Sequence, residues 1–350
     1  MTKFQIVVLP GDGIGPEVVA EGVRVLRAVE TKLDDVRFDL DERSAGAAEY
    51  LRSGDPLPVS TMDACRAADA ILLGAMGLPD IRWSGGTEIA PQLDLREQLD
   101  LYAGVRPIRL YHPAHSPLRP ERAAGIDLVI FRENTEGMFA SRKGTFPPDA
   151  AEVCDTMRIS RHGSERLFRA AFRQAERRSR LVTLVDKANV LPSMAFFRSI
   201  FDEISREFPA VRTERIYIDA STLYLLQRPA SFDVIVTENI FGDILSDLAA
   251  GLVGGMGLAP SGDIGDRHAV FQPSHGSAPD IAGKGIANPL ATILSAAMML
   301  EWFNHAETKR GAAMIRRAVE AVCTDPANAT RDLGGSLYTR DVGELVAARL

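Results

Sequence analysis

Short apolar runs and longer amphipathic stretches alternate along most of this chain. Residues 4–9 read Phe-Gln-Ile-Val-Val-Leu and stop at Pro-Gly-Asp-Gly, the pattern of a first buried strand. Residues 16–29 carry helical spacing, with Pro16 at the start, where the missing N–H costs nothing. Apolar runs at 71–74, 128–131, 181–185 and 234–237 predict further strands. Residues 164–178 predict a helix with Leu167, Phe168, Ala171, Phe172 and Ala175 on its inner side. Such alternation implies an α/β protein with largely parallel pairing at its centre. Residues 138–157 break the pattern. Gly, Pro, Ser and Thr abound there and no helical period survives, which predicts a protruding loop or hairpin arm.

Composition narrows the class. At 350 residues, 46% hydrophobic and 25% charged, the chain has room for one large α/β domain or two lobes and the balance of a soluble protein. A net charge of −7 argues against nucleic acid or an anionic membrane as main partner, while local arginines leave room for an anionic substrate. Cys65, Cys154 and Cys323 are odd in number and far apart, which reads as reduced thiols in a cytoplasm. The start of the chain lacks a small-residue cleavage site, and the apolar run 293–303 contains Glu301 and is too short to span a bilayer.

The candidate chemistry centres on residues 237–247, which follow a strand-like run and open a helix. Asp243 and Asp247 stand four apart, so both carboxylates project from one helix face. Like charges so placed repel by roughly 0.2–0.5 kcal/mol unless a cation lies between them. A hard cation such as Mg²⁺ takes one or two carboxylates and leaves positions for substrate oxygens. An isolated pair at this spacing is more often a solvated helix face. Here Ile240, Phe241, Ile244 and Leu245 surround it, which places it at the edge of a buried surface. Residues 11–16, Gly-Asp-Gly-Ile-Gly-Pro, sit between strand and helix, where dinucleotide sites often lie. The spacing is GxGxG, Pro16 removes an N–H that a phosphate would use, and no acidic residue follows at the ribose spacing. An ordinary Rossmann site is therefore rejected, and the glycines are read as a tight turn.

Six segments together resemble the β-decarboxylating dehydrogenases: LPGDGIGPE at 9–17, LREQLDLYAGVRP at 95–107, FRENTEG at 131–137, VDKANVL at 185–191, TENIFGDILSD at 237–247 and HGSAPDIAGKGIANP at 275–289. That family includes isocitrate, 3-isopropylmalate, homoisocitrate and tartrate/D-malate dehydrogenases, and the resemblance is closest to the NAD-dependent isopropylmalate and tartrate/D-malate branch. It implies an isopropylmalate-dehydrogenase-like two-lobed fold with a mostly parallel sheet. Residues 1–102 and 254–350 would form a cofactor-side lobe, and 103–253 a dimerisation and metal-side lobe carrying the arm near 138–157. It also implies oxidation of a malate-type dicarboxylate at C2, hydride transfer to NAD, loss of CO₂ and protonation of the enolate, with Mg²⁺ or Mn²⁺ on the C2 oxygen.

By the same resemblance, Arg96, Arg106 and Arg132 bind the substrate carboxylates, for which guanidinium forks are suited, with Gln92, Leu93 and Asn189 also at the substrate. Asp219, Asp243 and Asp247 are the metal ligands. Lys187 helps remove the C2 hydroxyl proton, and Lys187 and Asp219 act across a homodimer. His275, Gly276, Ser277, Ala278, Asp280, Ile281 and Asn288 belong to an adenosine loop. A carboxylate at Asp280 accepts from ribose hydroxyls and repels a 2′-phosphate, which selects NAD.

Two departures stand out. Phe139 occupies the position of the Tyr assigned as proton donor to the enolate, and Ser141 and Arg142 follow closely. Ala90 and Gln92 stand where isocitrate enzymes carry Ser and Asn, which speaks against isocitrate. Isopropylmalate enzymes prefer a leucine pair, of which only Leu93 remains. An unpaired Gln92 amide facing an isopropyl group would cost roughly 1–3 kcal/mol. The expectation is a small polar 3-substituent, as in D-malate or tartrate, with 3-isopropylmalate as the alternative. A cofactor-binding protein with lost or altered turnover is the alternative of another class.

Overall fold

The computed structural model describes residues 1–147 and 149–350. Among them ten strands form: β1 Thr2–Gly11, β2 Val36–Glu42, β3 Ala70–Ala75, β4 Ala103–Arg109, β5 Asp127–Glu133, β6 Leu181–Asp186, β7 Arg212–Tyr217, β8 Val234–Thr237, β9 Pro260–Ile264 and β10 Ala269–Pro273. The chain divides into two compact units, Met1–Asp100 with Gly254–Leu350, and Leu101–Val253.

In the first unit the strand order is β2-β1-β3-β10-β9, parallel except for β9. Ile6, Val7, Val8 and Leu9 are all buried, so β1 is covered on both faces, as its unbroken apolar run requires. The helix Leu290–Trp302 is buried from Leu290 through Leu300. Its all-round apolarity is that of a core helix. Among the described residues no helix is long and apolar enough to cross a membrane.

In the second unit the order is β4-β5-β8-β6-β7, parallel except for β4. Its core packs Phe168 and Phe172 of the helix Arg161–Glu176 against Phe197 and Phe201 of the helix Pro192–Ile204, with ring centroids 4.6 to 5.3 Å apart. The first of these helices starts before the predicted 164 because Ser160 caps it, accepting from the Gly163 amide at 3.0 Å. The parallel registers set Arg132 opposite Thr237 and Asp186 opposite Tyr217. Four strand ends therefore finish together on the carboxyl side, where open α/β sheets bind ligands.

The segment predicted as an arm is pinned at its base. Gly137 and Arg158 exchange backbone hydrogen bonds of 2.8 and 3.1 Å, and Ser141 Oγ accepts from the Thr156 amide at 2.9 Å. Beyond that base the described residues form no hairpin ladder, and Pro147 lacks the N–H that one would use. Pro148 lies outside the described residues. The cysteines are free, and burial pushes the Cys65 and Cys323 thiols up to about 12, which leaves them protonated and inert.

Candidate active site

Arg132, the last residue but one of β5, is almost fully buried. Its Nε and Nη2 donate to Asn239 Oδ1 at 3.1 and 2.7 Å, and its Nη1 donates to Asp243. Asn239 opens the helix Asn239–Gly251 and donates its own amide to the Glu136 carbonyl at 3.0 Å. Gly242 makes this packing possible, since a Cβ there would lie 2.7 Å from Arg132 Cβ and Cγ. One turn after Asp243, Asp247 keeps water on one side. The protein packed around it still raises its carboxyl above the usual range, and the Asp243 charge raises it further. Arg106 and Arg132 pull in the opposite direction. The helix buries Leu245 and packs Phe241 against the core but leaves Ile244 56% exposed, so the two acids lie where buried apolar surface gives way to uncovered apolar surface.

Lys187 and Asp219 pair with each other, Nζ to Oδ1 at 2.7 Å. The pair is built by the strand ends. Asp186 is fully buried, accepts from Arg198 at 2.7 and 2.6 Å and takes the Ala188 amide at 3.0 Å. The Arg198 guanidinium also lies 5.2 Å from the centre of the Tyr217 ring, just before Asp219. The hydrogen bond from Lys187, followed by backbone amides at the start of the helix Ile218–Gln227, holds the Asp219 carboxyl below its ordinary range. Asn189 is exposed nearby in sequence. Asp243 and Asp247 thus come together within one chain, whereas Asp219 is engaged with Lys187. Among the described residues no three His, Cys, Asp or Glu side chains converge on a metal position.

Phe139 lies in the short turn Met138–Ser141, with the Arg132 guanidinium 5.2 Å from its ring centre. Ser141 is not a spare hydroxyl, because it closes the base of the arm. Behind the turn sits Glu238, fully buried. Its Oε1 accepts from the Phe241 amide at 2.7 Å, while its Oε2 has no partner. Burial raises this carboxyl to about 6. Sequence reasoning passed over Glu238, although an acid just before a helix is a capping signal.

In the first unit, Arg96 is buried in the helix Pro91–Gln98 and donates through Nε to Asp263 at 2.8 Å. Asp263 also accepts from Gln272 at 2.7 Å. On the same helix Leu93 is partly buried, and the Gln92 Oε1 atom is buried with no partner.

The 275–289 segment is held by the glycine turn that follows β1. The Ile14 amide donates to the Ser277 carbonyl at 2.8 Å, and Gly13, at φ +60°, leaves no room there for a Cβ. Ser277 Oγ donates to the Gly77 carbonyl at 2.5 Å, and Asp12 receives the amides of Gly77, Ala47 and Ala48 at 2.7 to 2.8 Å. Gly276 has open space above it, Ala278 is at φ +38°, and Asp280 is exposed. Ile281 packs with Ile14, Val18 and Ala287. His275 bonds through Nδ1 to the Gly276 carbonyl at 2.9 Å, and its buried Nε2 has no partner; burial pushes its pKa down, so the ring is neutral at neutral pH. Asn288 commits its amide to Asp332 at 3.1 Å and its oxygen to the Leu290 amide at 3.0 Å.

A family model described as isocitrate/isopropylmalate dehydrogenase matches residues 5–346. The 3-isopropylmalate dehydrogenase of Moorella thermoacetica is 45% identical over 99% of this chain and 99% of its own length. That of Aquifex aeolicus is 46% identical, covering 86% and 84% respectively. Among solved structures, isocitrate dehydrogenase from Methylococcus capsulatus is 38% identical with a TM-score of 0.89 over 99% of both chains. A β-decarboxylating dehydrogenase from Thermococcus kodakarensis, in its apo form, is 38% identical with a TM-score of 0.79 over 99% of this chain and 96% of its own. The chain belongs to the isocitrate/isopropylmalate dehydrogenase family of β-decarboxylating dehydrogenases.

Proposed function

We propose that the chain catalyses NAD-dependent, divalent-metal-dependent oxidative decarboxylation of a 3-substituted malate, with 3-isopropylmalate as the leading substrate. The carrying observation is the grouping of Arg132 with Asp243 and Asp247, a carboxylate-binding cation beside two hard oxygen donors whose charges raise each other's cost. That donor set fits Mg²⁺ or Mn²⁺. The orphaned His275 Nε2 and the open surface above Gly276 suit an adenosine group. The relatives named 3-isopropylmalate dehydrogenase, 45% and 46% identical, favour that substrate over the D-malate or tartrate expected from the sequence.

In this mechanism Arg96, Arg106 and Arg132 neutralise and orient the two carboxylates. Lys187, released from Asp219 and in its neutral form, helps remove the C2 hydroxyl proton, directly or through water. Phe139 packs without donating a proton, so that water protonates the enolate. When bound, the metal supplies a Lewis acid for the C2 oxygen and NAD a hydride acceptor. Lys187 and Asp219 serve the site of a second copy of the chain, a reading supported by their pairing apart from Asp243 and Asp247. The exposed Leu223, Leu226 and Ile244 offer apolar surface for such a dimer.

One observation favours a second substrate. A buried, unpartnered Gln92 Oε1 suits a 3-substituent that carries a hydrogen-bond donor, such as the hydroxyl of tartrate. NADH formation with Mg²⁺ or Mn²⁺ and a panel of 3-isopropylmalate, D-malate, tartrate and isocitrate separates the two. The highest kcat/KM is expected for 3-isopropylmalate. A preference for tartrate would install the second reading, and binding of NADH without turnover of any of the four acids would point to lost activity.

A further inference from the structure

Two of the glycines in the 275–289 segment have a use that their motif does not announce. Gly283 and Gly285 sit at φ +75° and +64°, and each turns its amide N–H toward the first turn of the helix Gly15–Glu30. There Glu17 receives both: Oε1 takes the Gly283 amide and Oε2 takes the Gly285 amide at 2.9 Å. Paired amides of this kind make an anion cradle, and here the chain fills it with its own carboxylate. The cradle is therefore closed to a cofactor phosphate.

The segment has a second anchor at its other end, where Ile14 holds the Ser277 carbonyl at 2.8 Å. Behind Gly285, the Thr339 amide and hydroxyl hold the Gly285 and Ala287 carbonyls at 2.8 and 2.6 Å. Between the anchors lies the exposed Asp280. A loop tied at both ends loses little conformational freedom when a ligand settles on it, whereas a loop tied at one end must be ordered at the ligand's expense.

We propose that Glu17 is a positioning residue for the cofactor, fixing the 277–285 loop in its ligand-ready shape through the Gly283 and Gly285 amides. The inference rests on the 275–289 segment being the adenosine site. Glu17→Gln keeps the size of the side chain but sets an amide NH₂ against one of the two N–H donors. Losing a charge-assisted pair should weaken NADH binding about tenfold.

The test is equilibrium binding of NADH, followed by its fluorescence without substrate, for the wild type, Glu17→Gln and Glu17→Asp. Glu17→Asp keeps the charge and shortens the reach, so an intermediate loss is expected from it. Amide exchange in the peptide containing Gly283 and Gly285 should quicken in Glu17→Gln. With NAD saturating, kcat and the KM for the acid substrate should stay within about twofold of the wild type. A merely structural role would instead lower the melting temperature and kcat together. NADH binding by both variants at the wild-type affinity overturns this inference alone. A wild type that does not bind NADH overturns the cofactor reading and takes the inference with it.

Discussion

Glu238 shows what one buried side chain does to the energetics. Its carboxyl has a pKa of about 6 against an ordinary 4.5, because burial penalises the charged form. A raised folded-state value stabilises the fold fully below pH 4.5 and loses that contribution as pH rises through 6. Glu238→Gln keeps an acceptor for the Phe241 amide and removes the titration. Urea unfolding from pH 4.5 to 7 should therefore show the wild type losing about 2 kcal/mol relative to the variant. A gap that does not change with pH would mean that Glu238 stays ionised. The candidate site residues were legible where a short motif holds them, as Arg132, Asp243 and Lys187 are held. Glu17 and Asp263 were not, because their partners lie far along the chain: Gly283 is 266 residues from Glu17 and Arg96 is 167 from Asp263. Gln92 was legible as a polar residue in an apolar setting, but the isolation of its oxygen needed the fold.

At the scale of elements, apolar runs disclosed the strands buried on both faces, such as β1, β3 and β8. β7 reads Arg-Thr-Glu-Arg-Ile-Tyr and buries only Ile216, a weaker strand signal, because it ends the strand order of its unit. The arm's composition fits a loop or a hairpin, and the structure ties its base at Gly137 and Ser141 with no ladder among the described residues beyond it. Among helices, Asn239–Gly251 is set by its approach to β5, and Gly242 is the point of contact. Gly242→Ala places a Cβ 2.7 Å from Arg132 Cβ and Cγ, so the helix or the arginine must move. Overpacking of this kind costs roughly 1–3 kcal/mol. The variant should melt lower, and turnover should fall at least about tenfold as Arg132 and Asp243 lose their register. Unchanged melting and turnover would show that this helix does not position the arginine.

For the whole molecule, the α/β class and the mostly parallel sheet could be read from the alternation of runs, because each strand must be covered by the helix that follows it. The preferred acid could not, since the candidate acids differ only in a small 3-substituent, which the proposed function sets against one or two side chains such as Gln92 and Leu93. Composite sites make a further prediction. Lys187→Ala chains and Asp243→Asn chains should each be inactive, and mixing them should restore part of the activity through heterodimers with one intact site. No recovery after verified subunit exchange would count against sharing. The proposed function requires every oxidation by NAD to be followed by loss of CO₂, in the presence of a metal and despite Phe139. The most direct measurement follows NADH, CO₂ and the released keto acid from 3-isopropylmalate in one reaction, with Mg²⁺ or Mn²⁺ and then with a chelator. One CO₂ should form per NADH, release of the protonated keto acid should lag behind the CO₂, Phe139→Tyr should shorten that lag, and the chelator should stop both. NADH formed without CO₂, or activity that survives the chelator, would rule out metal-dependent oxidative decarboxylation.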